Sequence, residues 1–370
     1  MAAEVFFHPL QTPAGQEFLP VDLRSPLAGL VARLGLAGAA GHHAPWGLKV
    51  QLGARGLPPA VDPAWARAVA DAVAGPGAAA ADRVTFCCDT LSITTAGLDA
   101  PDTHLGLAKV QGYTQGGHGL PYLVADGADQ GPPLLVDEVG QEEIAGLTLA
   151  PVLSRAAGLC VLAPVRPHPH AGFQGALFHL GVGLADRAGK IMLHSDIRPK
   201  VDTPLCAGCG SCLAVCLFDA IAINGGRAHI DHLKCTGCGE CMNVCFMAGI
   251  SAEEAAGVPR FQAKVAAAAA AAARAVAAGR TGRAGYFNFL VRLDRHAGGA
   301  RTRARQRLGD VGVLASRDPV ALDMATWDLI VAATGGPLVD WSGFGQEPGL
   351  LLERAEQLGL GRRAYRLVAS

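Results

Sequence analysis

Two cysteine runs stand out in the sequence: CAGCGSCLAVC at residues 206–216 and CTGCGECMNVC at residues 235–245. Each copy has the pattern C-x2-C-x2-C-x3-C, and the second copy repeats the first at a constant offset of 29 residues. The two runs hold eight of the eleven cysteines in a chain of 370 residues. The repeat therefore marks a compact segment whose thiols can share one chemistry.

This spacing is typical of a ferredoxin-type pair of 4Fe–4S clusters, in which three thiolates of a tight loop hold one cluster and the fourth cysteine reaches the other. We expect two such clusters. The predicted ligands are Cys206, Cys209, Cys212 and Cys245 for cluster 1, and Cys235, Cys238, Cys241 and Cys216 for cluster 2. The glycines at 208, 210, 237 and 239 can adopt left-handed conformations, which turn backbone N–H groups toward the sulfurs.

Two other uses of cysteine stay open at this point. Zinc also takes four cysteines, although its sites usually pair C-x2-C units across a longer spacer. Disulfides would require an exported chain, and the sequence begins without the basic segment and apolar stretch of a secretory signal. Cys87, Cys88 and Cys160 lie in apolar runs and are expected in the core.

Composition limits the function classes. Half of the residues are hydrophobic, the formal net charge is −1 and the isoelectric point is about 6.9, so no general attraction to nucleic acid or anionic lipid is predicted. No window approaches the ~18 uncharged apolar residues of a membrane span. Cluster assembly on reduced thiols fits a reducing compartment. We expect a cytoplasmic protein without membrane or nucleic-acid partners.

Short apolar runs alternate with helix-like segments on both sides of the cysteine region. Strands are predicted at 4–8, 48–52, 83–88, 121–125, 159–163, 285–291 and 311–315, and helices at 26–36, 102–112, 151–157 and 265–278, with Asp62 and Asp318 as N-caps of two more. This alternation predicts an α/β fold with a largely parallel sheet. Residues 1–200 and 256–370 are expected to form one α/β domain, interrupted at 201–255 by an inserted α+β ferredoxin-like domain that holds the two clusters.

The segment HPHAGFQGALFHLGVGLADRAGKIMLHSDIRPKV, at residues 168–201, runs directly into the cysteine repeat. Together with GLKVQLG at 47–53, FNFL at 287–290 and GDVGVLASRDPVALDMA at 309–325, it resembles the iron–sulfur branch of the domain-of-unknown-function 362 family. The resemblance implies an α/β domain interrupted by a two-cluster ferredoxin insert. It supports the fold and leaves the activity undefined.

The sequence departs from the family pattern at three places. Gln51 stands where members tend to carry His, Phe178 stands where they tend to carry Lys, and the basic stretch 291–307 replaces a patch that is often rich in Asp and Cys. Metal-capable groups have thus become neutral or basic. The resemblance therefore does not extend to a second metal site.

Polar side chains follow the predicted strands at their carboxyl ends, where ligands gather in open α/β sheets. Asp89 follows one strand, Asp126 the next, and His168 a third; Lys190 and His194 lie in the family-like segment. These five residues are the candidates for a small-ligand pocket with catalytic groups. Each has a plainer interpretation too, since aspartates at strand ends commonly cap turns.

Arginines at 292, 295, 301, 303, 305 and 307 form the basic concentration of the chain. A solvated loop explains them, as does an anionic small molecule or docking of an acidic redox protein partner. Three functions remain open. The first is a redox protein, an oxidoreductase component that relays single electrons between a partner and another partner or a ligand in the α/β domain. The second is a non-redox small-ligand-binding protein with structural or sensory clusters. The third is metal-dependent isomerase or ligase chemistry.

Overall fold

The computed structural model describes residues 2–10, 21–40, 45–53, 58–75, 85–93, 98–114, 119–136, 142–252, 257–278, 283–296, 305–338, 341 and 346–370. Its strands are β1 (Ala3–Pro9), β2 (Trp46–Lys49), β3 (Thr85–Asp89), β4 (Tyr122–Val124), β5 (Leu134–Leu135), β6 (Thr148–Leu149), β7 (Gly158–Pro164), β8 (Arg166–His168), β9 (Gly172–Gln174), β10 (Pro199–Val201), β11 (Ile221–Asn224), β12 (Arg227–Ile230), β13 (Ile250–Ala252), β14 (Arg283–Leu290), β15 (Leu293–His296), β16 (Arg305–Gly309), β17 (Gly312–Ser316) and β18 (Tyr365–Ala369). Its helices are α1 (Arg24–Arg33), α2 (Pro63–Ala74), α3 (Pro101–Val110), α4 (Ala176–Gly181), α5 (Arg187–His194), α6 (Ser211–Ala214), α7 (Glu240–Val244), α8 (Gly257–Ala278), α9 (Pro319–Thr334) and α10 (Gly349–Gln357).

One eight-stranded sheet organises these elements, in the order β18-β1-β17-β14-β7-β2-β3-β4. The run from β14 to β4 is parallel throughout. Strand β17 runs antiparallel to both of its neighbours, β14 and β1, and β18 is parallel to β1. The expected α/β fold with a largely parallel sheet is confirmed.

Both faces of the sheet are covered by helices. In β7, Leu159, Val161 and Ala163 face a core shared with α4, α8, α9 and α10. Cys160 and Leu162 point to the opposite core, which is shared with α1 and α2. Because side chains alternate across a strand, a continuous apolar run such as β7 marks a strand buried on both faces.

The alanine-rich helix α8 is buried along most of its length. Ala266 to Ala270 are at most 1% exposed. Close packing explains the composition, since a Cβ added to Gly181 of α4 would lie 2.5 Å from the carbonyl oxygen of Val265. Larger side chains at this contact would force the two helices apart.

Two helix starts follow the expected capping chemistry. The Asp62 carboxylate accepts the Ala64 N–H at 2.8 Å, and the Asp318 carboxylate accepts the N–H groups of Val320 and Ala321, each at 2.9 Å. Both caps precede a proline at the first helical position.

Two predicted elements differ in the structure. Residues 151–157 were expected to form a helix, but only a short 3-10 turn spans Pro151–Ser154. The Ala157 N–H donates to the Pro45 carbonyl at 2.7 Å, which directs the chain into β7. Strand β2 ends at Lys49 rather than at residue 52. The Leu52 N–H then donates to the Asp89 side chain at 3.3 Å, so a side chain replaces the ladder there.

The cysteine segment folds as two similar halves. Shifting β10, α6 and β11 by the 29-residue repeat places them on β12, α7 and β13. Strand β10 pairs antiparallel with β13, and β11 pairs with β12. A small core of Cys212, Ile221, Ala228, Cys241 and Ile250 lies between the halves. In the part of the chain that the structure describes, none of the helices combines the length and apolarity that crossing a membrane requires.

Candidate functional site

A cleft of about 590 Å³ opens where the parallel strands end. Lys49 closes β2, Asp89 closes β3, Val165 follows β7 and Arg292 follows β14, and all four line the cleft. The carboxyl ends of neighbouring parallel strands meet at one edge, which is why these side chains converge. The remaining wall comes from α4, α5 and the second cysteine run.

A buried ion pair forms the floor of the cleft. Lys49 Nζ lies 2.8 Å from an Asp89 oxygen, and the Lys49 side chain is 1% exposed. The ammonium also donates to the Val50 carbonyl at 2.7 Å. Burial raises the pKa of Asp89, but the charges of Lys49, His104 and Lys190 together with the Lys49 hydrogen bond outweigh it and leave the pKa below its usual value. Asp89 is therefore a carboxylate at neutral pH, and its charge is largely compensated.

Lys190 enters the cleft from α5. Its ammonium donates to Thr90 Oγ1 and to the Leu91 carbonyl, each at 2.5 Å. The Thr90 hydroxyl in turn donates a hydrogen bond to the Gly183 carbonyl at 3.0 Å. Burial lowers the pKa of Lys190 to about 8, against the opposing attraction of Asp89 and Asp126. The ammonium is thus charged at neutral pH and loses its proton more readily than an ordinary lysine.

Backbone contacts determine which ring nitrogens of two histidines carry hydrogen. His168 Nδ1 accepts the N–H groups of His170 and Ala171 at 3.2 and 3.0 Å, so the hydrogen of its neutral ring is on Nε2. His194 Nδ1 lies 2.7 Å from the Lys190 carbonyl, so it donates there and its Nε2 is an acceptor. Burial holds the pKa of His168 well below its usual value and lowers the pKa of His194 to about 4. Both rings are neutral at neutral pH.

Several polar atoms at the cleft lack a partner among the described residues. His179 Nε2, Gln51 Oε1 and Trp341 Nε1 are buried atoms of lining residues with no hydrogen bond. The Pro164 carbonyl takes a hydrogen bond from the His179 ring, and burial lowers the pKa of His179 to about 3. His179 Nε2 is therefore a lone-pair acceptor without a donor.

The backbone of the two cysteine loops adopts left-handed conformations at four glycines, as the sequence predicted. Glycines 208, 210, 237 and 239 have φ of 64°, 78°, 76° and 83°. The Cys206 sulfur accepts the Ala228 N–H at 3.4 Å, and the Cys245 sulfur accepts the Gly249 N–H at 3.2 Å. In both contacts a backbone N–H faces a cysteine sulfur.

The fourth cysteine of each run lies near the loop of the other run. Burial is the largest cause of the raised pKa of Cys235 and of Cys238, and the charge of Cys216 raises both pKa values further. Gly249, which is bonded to the Cys245 sulfur, packs against Cys206, because an added Cβ would lie 3.3 Å from the Cys206 nitrogen. Among the described residues no three His, Cys, Asp or Glu side chains converge on a point suited to a single metal ion.

The second cysteine loop packs against the cleft. Cys238 and Glu240 line it directly. An added Cβ at Gly239 would lie 2.9 Å from His170 Nε2, and one at Gly237 would lie 2.1 Å from the His194 carbonyl oxygen. His170 Nε2 and Thr236 Oγ1 are buried next to this loop without a partner among the described residues.

The family model described as "Domain of unknown function (DUF362)" matches residues 47–328. The chain belongs to the DUF362 family. The match runs from β2 to α9 and so covers the cleft and the cysteine segment. A search of curated proteins finds no match to the chain.

Two of the positions at which the sequence is expected to depart from the family pattern lie on the cleft wall. Gln51 and Phe178 both line it, and the Phe178 ring packs on His168 with ring centroids 4.6 Å apart. The third departure is described in part. Arg292 lines the cleft, the side chains of Arg295, Arg305 and Arg307 are not described, and Arg301 and Arg303 lie outside the described residues.

The structure brings four of the five candidate residues of this DUF362 chain together. Asp89, His168, Lys190 and His194 line the cleft, whereas Asp126 is not among the lining residues. The Asp126 carboxylate accepts the Leu91 N–H at 2.8 Å and so supports the segment that receives Lys190. Burial raises the pKa of Asp126.

Among the cleft residues that the sequence did not indicate are Lys49, Arg166 and His179. A signal existed for Lys49, because a charged residue at the end of an apolar strand must find a buried partner. Arg166 follows the end of β7 by two residues, so the same strand-end rule that indicated His168 could have found it; its side chain donates to the carbonyls of Val165 and Val291 at 2.7 and 3.2 Å. His179 lies on α4, and only the packing of that helix brings it to the cleft.

Proposed function

We propose that this DUF362 protein holds two 4Fe–4S clusters and relays single electrons between a redox protein partner and a small ligand in the cleft. The observation that carries the proposal is the shared wall, since Cys238 and Glu240 of the second cysteine run line the same cleft as Lys49 and Asp89. A ligand bound there lies against the predicted site of cluster 2. In this interpretation the protein is an oxidoreductase component.

The residues present fit the two clusters. Each three-cysteine loop has left-handed glycines, and the fourth cysteine of each run lies near the other loop, as the crossed assignment requires. The repeated halves of residues 199–252 support a ferredoxin-like insert. A cubane separates its ligand sulfurs by iron and sulfide, so these ligands need not converge on one point as four zinc ligands do. When bound, the clusters supply one-electron storage and transfer.

Two buried polar atoms support this fit at the second loop. His170 Nε2 and Thr236 Oγ1 have no partner among the described residues, and His170 lies directly against Gly239. Buried polar groups are normally paired, so unpaired ones beside a cysteine loop indicate a group that they would contact. Sulfur atoms of a cluster and its thiolates are acceptors that an N–H or O–H can approach.

The exposed residues indicate where a protein partner would dock. Five large hydrophobic side chains of the cysteine segment are exposed: Leu213, Leu217, Leu233, Phe246 and Met247. Cys209 of the first run is exposed, whereas Cys238 of the second run lines the cleft. Exposed apolar residues beside a redox group suit a transient partner surface. We infer that partner exchange takes place on the cluster 1 side and ligand exchange on the cluster 2 side.

The cleft residues would bind and orient the ligand. Lys190 brings a charged donor, His168 presents Nε2–H, and His194 presents an acceptor on Nε2. The neutral rings and the Lys49–Asp89 pair keep fixed dipoles in a partly enclosed space, where electrostatic interactions are stronger than in water.

A second function, non-redox ligand binding with structural or sensory clusters, is favoured by one observation. Gln51 and Phe178 place a neutral amide and an aromatic ring where relatives tend to carry His and Lys, and both line the cleft. Such a wall has fewer groups able to transfer protons. It would still bind a ligand.

Anaerobic reconstitution followed by redox titration with EPR tests the proposal. We expect about eight irons per chain and two reducible cubane signals. Potentials within reach of ferredoxin-type donors, about −400 mV, would support electron relay, whereas potentials far below that would favour the structural interpretation. An iron content far below about eight per chain after reconstitution would refute the cofactor. A protein that carries about eight irons but shows no reducible cubane signal would refute the relay.

A further inference from the structure

The charge around the cleft is positive. The wall carries four cations and two carboxylates, namely Lys49, Arg166, Lys190 and Arg292 against Asp89 and Glu240. Asp89 is already compensated by direct contact with Lys49. An anion that enters the cleft therefore meets surplus positive charge in a partly enclosed space, where salt screens less than at an open surface.

Arg292 brings a guanidinium to the wall of the cleft. The hydrogen bond that the structure gives this residue is made by its backbone, and within the described ranges no carboxylate pairs with its side chain. Its φ of 56° is a left-handed conformation that residues with side chains seldom adopt. The Asp310 carboxylate accepts the Arg292 N–H at 2.6 Å and holds this backbone. Strained residues of this kind concentrate at ligand sites, where a side chain must be aimed.

Two acceptors on the same wall have no donor among the residues that the structure describes. His179 is 2% exposed and its Nε2 is unpaired, while the Pro164 carbonyl engages the other side of the ring. Gln51 Oε1 is likewise buried and unpaired. An unmatched buried acceptor destabilises the fold, and a ligand that brings N–H or O–H groups removes that penalty on binding.

We propose that the cleft binds a small organic anion, with a carboxylate or phosphate group on Arg292 and N–H or O–H donors toward Gln51 and His179. The volume of about 590 Å³ suits such a molecule, since ligand sites commonly span ~300–1,000 Å³. The inference deepens the proposed function, on which it rests only in taking the cleft as the ligand site. It does not require that the clusters transfer electrons.

Calorimetric titration of the reconstituted full chain tests this, with inorganic phosphate, pyrophosphate, succinate and malate as probes at constant ionic strength. Malate and succinate are both dicarboxylates, and malate adds one hydroxyl donor. We expect anion binding that Arg292→Gln weakens roughly 10–100-fold, the range of a lost charge-assisted hydrogen bond. Malate should bind more tightly than succinate, and Gln51→Leu should reduce the ratio of the malate affinity to the succinate affinity.

Arg366→Gln is the matched control, because Arg366 is an exposed arginine that pairs with Glu4 on the first strand. It should leave every affinity unchanged. Failure of all four probes to bind at millimolar concentration, or equal weakening by Arg292→Gln and Arg366→Gln, overturns the inference. Anion binding by a protein without reducible clusters would refute the relay and support the anion site. Reducible clusters in a protein that binds none of the four anions would support the relay and refute the anion site.

Discussion

Replacing Cys216 by alanine should remove the cluster anchored in the other cysteine run. Cys216 lies near Cys235 and Cys238, which are 19 and 22 positions away in sequence, and the three residues line one small cavity. If Cys216 is the fourth ligand of cluster 2, Cys216→Ala should lower the iron content from about eight to about four per chain, with cluster 1 intact. Cys160→Ala is the control, since Cys160 is buried in β7 and burial raises its pKa to about 12; the full iron content should remain.

Iron content alone does not identify the cluster that is lost, so double variants are needed. Combining Cys216→Ala with Cys238→Ala removes two ligands of one cluster and should leave about four irons. Combining Cys216→Ala with Cys209→Ala removes one ligand from each cluster and should leave almost none. The EPR signal of the remaining cluster should be the same in Cys216→Ala and Cys238→Ala. The reverse pattern, with about four irons in the Cys209 pair and none in the Cys238 pair, would refute the crossed assignment.

The α/β domain and its contact with the cysteine loops can be tested by substitution. Lys49→Met should destabilise the protein by about 3–5 kcal/mol in urea unfolding at neutral pH, because Asp89 is left as an unpaired buried carboxylate. Adding Asp89→Asn to this variant should recover part of the lost stability, and no recovery would contradict the pairing. Asp323→Ala should cost at least about 3 kcal/mol, because the carboxylate accepts three buried donors, the N–H groups of Ala176 and Leu177 and the Asn288 amide. Burial raises the pKa of Asp323 to about 6, so protonation of the folded state adds stability that is fully present below the ordinary pKa near 3.8 and is lost as pH rises through 6, while the three hydrogen bonds of the carboxylate remain above pH 6. Asp323→Asn should flatten the unfolding free energy between these pH values, and an unchanged slope would count against the assignment. Gly237→Ala should reduce cluster loading far more than Gly210→Ala, since both have positive φ but only Gly237 meets backbone atoms of α5; equal iron contents would refute the packing argument. The affinity for anions should fall as pH rises through about 8, because Lys190 then loses its positive charge; the charged groups around it are Asp89, Asp126, Lys49 and Asp186. In calorimetric titrations at pH 7 and 9, Lys190→Met should abolish this pH dependence. Persistence of the dependence in the variant would exclude Lys190 as its source.

Local chemistry made much of the fold predictable. Asp62 and Asp318 cap their helices because a carboxylate followed by proline suits a helix start wherever it occurs. The apolar run of β7 is recognisable because burial on both faces leaves no polar position. The reversed direction of β17 was not predictable, since its apolar pattern is the same in either orientation and only pairing with β14 and β1 sets it.

The candidate site was predictable to the extent that it follows strand ends. Asp89 and His168 were found by that rule, and Lys190 and His194 came with the family-like segment. Asp126 satisfies the same rule but does not line the cleft, because its carboxylate is held by the Leu91 N–H. The position of Cys238 on the wall could not be foreseen, since it depends on how the second loop packs against α5 and His170. A local sequence pattern carries no information about contacts between elements that are distant in the chain.

The pairing of β10 with β13 brings the two ends of the cysteine segment together. Pro199 faces Ala252 across this ladder, so the cysteine segment starts and finishes at adjacent positions. Facing residues of antiparallel strands have Cα atoms only about 4.5–5.5 Å apart. A segment attached in this way can be replaced by a short turn without separating the chain on either side of it, because the two ends that it leaves already lie close enough to be joined.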